Sequence, residues 1–343
     1  MKRILCVALL MAAVRLALAG PAEPAPPWPP ELAAWDHDPH ADLGAVVVMH
    51  GGRIVAQRYF NGEQPDTLHD VRSVGKSITS LLVGAAVDRG RIACVCDPVQ
   101  RYWPAARTGA FGDVAIEDIL TMRSGLAADD DDPDSFGHED KLDAAPDTVA
   151  FMLAVPRANV PGSVYRYNSM TAHVAGLLVE NAAGTDLEQF AREVLFAPLG
   201  IRHWSWGRDA SGHAKGEGNL ALGARDLAKI GELVRAGGRF DGRRVIGAAW
   251  IDQSLRPRVD IAEVDRYADG YGFFWYSKVQ RLGDRALTVH FASGNGGNKI
   301  YVVPSLDLVV VVTSSAYGKG YGQRRSEEIL RTVLAAVPAG VGR

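Results

Sequence analysis

Three short groups of residues carry types that could do chemistry together. The first is Ser73 and Lys76, which open an apolar run through Ala86. Residues three apart share a helix face, so a first turn beginning at Ser73 sets its hydroxyl beside the Lys76 amine. A lysine held in a partly dry site can give up its proton and serve as a base. A serine at a helix start also has unpaired backbone N–H groups and the positive end of the helix dipole beside it. That setting suits an acyl-enzyme, in which negative charge develops on a carbonyl oxygen. The same residues also fit a plain helix cap with the lysine in solvent.

The second group is Pro161–Ser169, PGSVYRYNS, which runs straight into an apolar helix. Tyr167 lies in a turn that gathers polar side chains. A phenol near an ammonium can shuttle a proton, and Asn168 or Ser169 could hold Lys76 or a substrate amide. The competing reading has Tyr167 packing and Asn168 capping the helix from Ser169. The third group is Ala292–Asn298, ASGNGGN, between two expected strands. Glycines there mark a bulge or the close approach of another backbone. A main-chain N–H at Asn295 could form half of an oxyanion hole, with the Ser73 N–H as the other half. An ordinary glycine-rich hairpin loop also fits.

The elements around these groups read as α+β. Ala45–Met49 and Ile54–Phe60 flank Gly51-Gly52 as a hairpin. Leu287–Phe291, Ile300–Val303 and Leu308–Thr313 are three further strands. Helical spacing covers Ile116–Met122, Thr148–Val155, Thr171–Ala182, Leu187–Leu195, Ala224–Arg235, Ala248–Ser254 and Ser326–Val337. Strands thus gather at both chain ends and helices fill the middle. The expectation is one antiparallel sheet built from both ends and flanked by helices, with a mainly helical part inserted. Residues 43–337 form the unit, with an α/β part at about 43–90 and 216–337 and a helical part at about 91–215. Ser73 falls where the two parts meet, a usual place for a cleft.

The chain has 343 residues, 47% hydrophobic and 22% charged, with a net charge of -3. That is ordinary for a globular protein, and no basic cluster points to nucleic acid or an anionic membrane. Lys2-Arg3, an apolar run from Ile4 to Val14 and Ala17-Leu18-Ala19 read as a signal peptide over residues 1–19, so a secreted or periplasmic location is expected. The run is too short to span a bilayer, and no stable membrane insertion is expected. Residues 20–42 are expected to be a proline-rich N-terminal tail, extended over Pro21–Pro30 rather than part of a core. Cys94 and Cys96 are too few for a closed zinc site and are expected to be small packing residues. Asp129–Asp134, DDDDPD, is expected to be a solvated loop that could lie over a site and exclude anions. Calcium ligation there lacks the ligand and glycine alternation of a known loop.

Taken in order, the Ser73/Lys76 pair, the Tyr167 turn and the Asn295 strand end resemble the serine β-lactamase and penicillin-recognising hydrolase family. The resemblance is to its class C-like branch, with its esterases, D-amino-acid peptidases and 6-aminohexanoate-dimer hydrolases. It spans residues 43–337, including IEDILTMRSGL, ALGARDLAKIGELVRAGGRFDGRRV and GNGGNKIYVVPSLDLVVVVTS. The resemblance implies a β-lactamase/transpeptidase-like fold. It also implies Ser73 as acylated nucleophile, Lys76 as its base, Tyr167 as the second proton-transfer residue, and Ser73 and Asn295 as oxyanion donors. Ser169, Ser293 and Gly294 would contact substrate, and no metal or organic cofactor is needed. Two positions depart from the pattern. Ser169 stands where many relatives have Asn, and Ala292 where many have the Lys that binds a substrate carboxylate. The expectation is therefore a small ester, amide or short peptide substrate, uncharged at that end. A peptidoglycan D,D-peptidase or β-lactamase is the second reading, and a non-catalytic binding protein on the same fold the third.

Overall fold

The computed structural model describes residues 30–336. The expected signal peptide, most of the proline-rich stretch and Val337 lie outside the described residues. A single antiparallel sheet of eight strands carries the molecule. β1 (Leu43–His50) and β2 (Arg53–Tyr59) form the expected hairpin. β8 (Val259–Asp260), β9 (Gly270–Tyr271), β10 (Tyr276–Leu282), β11 (Arg285–Gly294), β12 (Asn298–Val303) and β13 (Leu308–Ser314) complete it, in the order β2-β1-β13-β12-β11-β10-β9-β8. The first strand pairs with the last, Val47 opposite Val311, so both chain ends share the sheet. β3 (His69–Asp70), β4 (Trp204–Trp206) and β5 (Leu220–Leu222) make a second small sheet, and β6 (Arg239–Phe240) pairs β7 (Arg243–Arg244).

β1 and β13 are valine-rich and buried nearly throughout, as strands covered on both faces must be. On one face α7 (Ala224–Arg235) packs so closely that Gly231 has room only for a hydrogen against Val309 and Ile300. On the other, α9 (Gly320–Ala336) reaches the sheet, with Glu327 accepting from the Tyr301 hydroxyl at 2.7 Å. α1 (Val74–Asp88) is buried from Val74 to Ala86. A helix apolar on all sides is a central one, and α1 touches α5 (Ser169–Ala183), β11 and β12. The intervening chain carries α2 (Ile116–Leu120), α3 (Glu139–Ala144), α4 (Thr148–Ala154) and α6 (Leu187–Ala191). α8 (Ala248–Leu255) follows α7.

Three expectations change. The sheet has more strands than the five expected, because β10 carries polar residues along YSKVQRL and β8 and β9 are two residues each. The second half of the expected tail over 20–42 is packed against the fold rather than apart from it. Pro30–Asp36 is a 3-10 helix with Leu32 buried, and Asp38 is paired with Arg325 at 2.9 Å and accepts from Leu43 N at 2.7 Å. Cys94 and Cys96 are not free packing residues. They form a disulfide, the chain between them placing their Cα atoms 5.1 Å apart, a separation a bridge can span. The Asp129–Asp134 segment is the expected loop, exposed from Asp131 to Asp134, and its start is tied to the Tyr167 turn: Asp130 N donates to Tyr167 O at 3.0 Å, and Arg166 donates to Asp129 at 2.8 Å.

Candidate active site

Ser73 immediately precedes α1 and does not cap it; its hydroxyl accepts from Lys76 Nζ at 2.8 Å. Arg72, just before it, has φ 52°, a costly backbone setting for a side chain of this size, of a kind that clusters at functional sites. Gly75 lets the helix start come against residue 218: a Cβ there would lie 2.9 Å from Gly218 Cα. Lys76 is almost wholly buried and also donates to Ser169 Oγ and to the Glu217 carbonyl, each at 3.1 Å. Its Nζ lies 5.0 Å from the centre of the Tyr167 ring.

The dry setting that was expected to lower the Lys76 pKa is present but does not prevail. Burial does push the Lys76 pKa down, but Tyr167, Asp130 and Glu217 outweigh it and hold the amine above its ordinary value. Lys76 therefore stands as an ammonium. Asp130 is in the converse position. Burial pushes its carboxyl up to about 6, against the pull of Lys76. Its Oδ2 accepts from Ser169 N at 2.6 Å.

Asn168 takes the capping role, accepting from Thr171 N at 2.7 Å, and so is turned away from Lys76. Ser169 is the residue that meets it, and it also donates to Glu139 Oε2 at 3.1 Å. Tyr165 packs edge-on against Tyr271, with ring centres 5.3 Å apart.

At the third group, Gly294 ends β11 directly against the chain that leads into α1. A Cβ there would lie 2.1 Å from Val71 O, so only glycine allows the approach. The side chain of Asn295 accepts from Gly318 N at 2.8 Å, which holds the turn. Among the described residues, neither the Ser73 nor the Asn295 main-chain N–H meets an acceptor. Two such donors beside a nucleophile are what a tetrahedral oxyanion requires.

Ser73, Lys76, Tyr167, Ser169, Ser293, Gly294 and Asn295 all line one cavity of about 430 Å³. Every site residue expected from the sequence is thus brought together. The cavity also takes in Asp130 and Asp131, from the acidic loop that was expected to lie over a site, and residues that the sequence did not mark: Glu139, Glu217, Asn219, Tyr276 and Gln323. Glu217 belongs to a buried row of alternating charges beneath Lys76. His173, wholly buried on α5, lies 2.7 Å from Glu217 Oε2 and 2.9 Å from Asp209 Oδ2. Burial works against the imidazolium, yet the two carboxylates prevail and raise its pKa to about 9. The same contacts, with Lys76, hold Glu217 below its ordinary value despite its burial. Among the described residues, no group of three or more His, Cys, Asp or Glu side chains is arranged to hold a metal ion, and no helix is long and apolar enough to cross a membrane.

Similarity to known proteins extends along most of the chain. A family model described as Beta-lactamase matches residues 37–334. The 6-aminohexanoate-dimer hydrolase of Paenarthrobacter ureafaciens is 26% identical over 290 residues, which is 79% of this chain and 72% of the relative. Among solved structures, a family VIII carboxylesterase superposes with a TM-score of 0.68 at 18% identity, over 89% of this chain and 98% of the other. A class C β-lactamase from Rhodobacter sphaeroides superposes with a TM-score of 0.63 at 18% identity, over 86% and 95%. The structural likenesses establish the β-lactamase/transpeptidase-like fold, and the match along most of the sequence establishes kinship: the chain belongs to the Beta-lactamase family and is, at that level, a serine hydrolase of ester or amide bonds.

Proposed function

We propose that this chain is an exported serine hydrolase that cleaves an ester or amide through an acyl-enzyme on Ser73. The observation that carries the reading is the bond from Lys76 Nζ to Ser73 Oγ at 2.8 Å, inside a cavity that also presents the free Ser73 and Asn295 N–H groups. The Ser73 oxygen adds to the substrate carbonyl carbon, and the two N–H groups receive the charge on the carbonyl oxygen. The Ser73 proton moves into the Lys76–Tyr167 pair and from there to the leaving alkoxide or amine as the C–O or C–N bond breaks. Water then repeats the sequence in reverse and frees the acid. Because Lys76 begins as an ammonium, it first orients the Ser73 oxygen and becomes the base only after passing on a proton. Asp130, the carboxylate coupled to it, can take up that proton.

Asp130, Asp131, Glu139, Asp140 and Asp143 stand in the cavity wall. They favour neutral or cationic substrates over carboxylates and so weigh against a β-lactamase or D,D-peptidase. The bridge between Cys94 and Cys96 supports export, since such bonds persist in oxidising compartments. The test is turnover of a panel of nitrophenyl esters and anilides by Ser73→Ala, with the fold checked by circular dichroism. A loss of about a thousandfold or more is expected; a variant that retains full activity would defeat the reading.

A further inference from the structure

Among the described residues, Lys299 is a buried cation without a paired carboxylate. It sits on β12, 1% exposed. The carboxylate facing it from α9, Glu327, is already taken by Lys278 and the Tyr301 hydroxyl. Aromatic faces line its surroundings, with Nζ 4.7 Å from the centre of Phe291 and 5.9 Å from that of Tyr301. Among the described residues, its one hydrogen-bond acceptor is Ser293 Oγ, at 2.8 Å. Burying an unpaired ammonium is expensive, and stability alone gives no reason for it.

The reason lies in the strand register. Ser293 and Lys299 are cross-strand partners on one face of the sheet. Ala292 precedes Ser293 on β11. Its side chain is buried on the opposite face of the strand. Ser293 lines the cavity that holds Ser73, whereas Lys299 lies behind it. A hydroxyl that accepts from an ammonium must turn its own proton elsewhere, and the open direction is the cavity. The neighbouring charge also makes it a stronger donor.

We propose that Lys299 supplies a positive charge to this site from the adjacent strand, and that it acts through Ser293, whose hydroxyl donates to a second carbonyl on the substrate beside the scissile bond. The substrate class is thereby an ester or amide with a neutral carbonyl acceptor, such as a carboxamide, in its acyl part. This inference rests on the reading of the Ser73 cavity as the substrate site. Lys299 is a positioning residue here, and Ser293 makes the contact.

The test measures binding of intact substrate to Ser73→Ala protein by calorimetry. Two anilides are compared that differ only in an acyl-chain carboxamide or the isosteric isopropyl group. The expected result is that the carboxamide binds about 10- to 100-fold more tightly, the range for a hydrogen bond backed by charge. Adding Lys299→Met reduces the preference to within about twofold, Ser293→Ala does the same, and the two together do no more than either alone. The preference also fades as the pH rises through about 8, because burial pushes the Lys299 pKa down to that value. The titratable groups facing it are Glu327 on α9, Lys278 on β10, Tyr301 on β12, and Asp265 and Tyr267 before β9. Absence of any preference, or a preference that survives either substitution, overturns the proposal. So does a fall in melting temperature with the preference intact, which is the mark of a purely structural lysine. Should Lys299→Met not fold, Ser293→Ala decides alone. Failure of the nucleophile assignment shows separately, as turnover by the Ser73→Ala protein.

Discussion

Asp130→Asn should make the protein more stable and its catalysis less dependent on acidity. The carboxyl of Asp130 rises from an ordinary 3.8 to about 6 in the folded chain, burial being the largest cause. A carboxyl whose folded pKa lies above its unfolded value favours folding only while protonated, so ionising it costs stability. Two units at 1.36 kcal/mol each give a cost of about 3 kcal/mol at neutral pH. Below about pH 4 the group is protonated in both states and the cost vanishes. The asparagine keeps an acceptor for Ser169 N, which Asp130 Oδ2 now holds at 2.6 Å, and places its amide where Oδ1 has no partner. Urea unfolding of both proteins from pH 4 to 7.5 would show the curves together at the acid end. The variant should lead by about 3 kcal/mol above pH 6. In turnover, the wild type should lose kcat/KM as pH falls through about 6, and the variant should lack that limb. A variant less stable than the wild type at pH 7, or a gap independent of pH, would refute the reasoning.

Three further outcomes follow from the same structure. His173 contributes stability as an imidazolium between Glu217 and Asp209. That contribution is whole below about pH 6.5 and is lost as pH rises through about 9, so wild-type unfolding should steepen in pH dependence across that window and His173→Gln should flatten it. Gly294→Ala puts a Cβ 2.1 Å from Val71 O. It should drive the end of β11 away from Ser73, lowering kcat about 10²- to 10³-fold as an oxyanion donor is lost, with Ser73→Ala showing no additional sensitivity to it. Export predicts that protein recovered from the periplasm or medium begins at Gly20, as read by intact mass; an N-terminus at Met1 in that fraction would contradict it.

Much of the site was legible because its parts are local. Ser73 and Lys76 meet across one helical turn, Tyr167 belongs to a turn before α5, and Asn295 ends a strand whose glycine announces a close approach. The charges that decide how the site works are not local. Glu217 meets Lys76 from 141 positions along the chain, and Asp130 and Glu139 arrive on a loop and a short helix that composition marks only as acidic. Without them, burial alone would lower the Lys76 pKa; with them, it stands above its ordinary value. The sheet followed the same rule. The apolar runs of β1, β11, β12 and β13 were plain, whereas β10 mixes polar with apolar residues and β8 and β9 exist only through their pairing. Lys299 illustrates the limit most clearly, since its role depends on a register that only the folded sheet sets.

The central claim is that Ser73 is the nucleophile of an acyl-transfer site. The direct measurement is the intact mass and peptide map of the protein after exposure to a fluorophosphonate. The account predicts one phosphonate adduct, on Ser73, formed more slowly or not at all in Lys76→Met and absent in Ser73→Ala. An unmodified Ser73, or an adduct that maps to another residue, would contradict it.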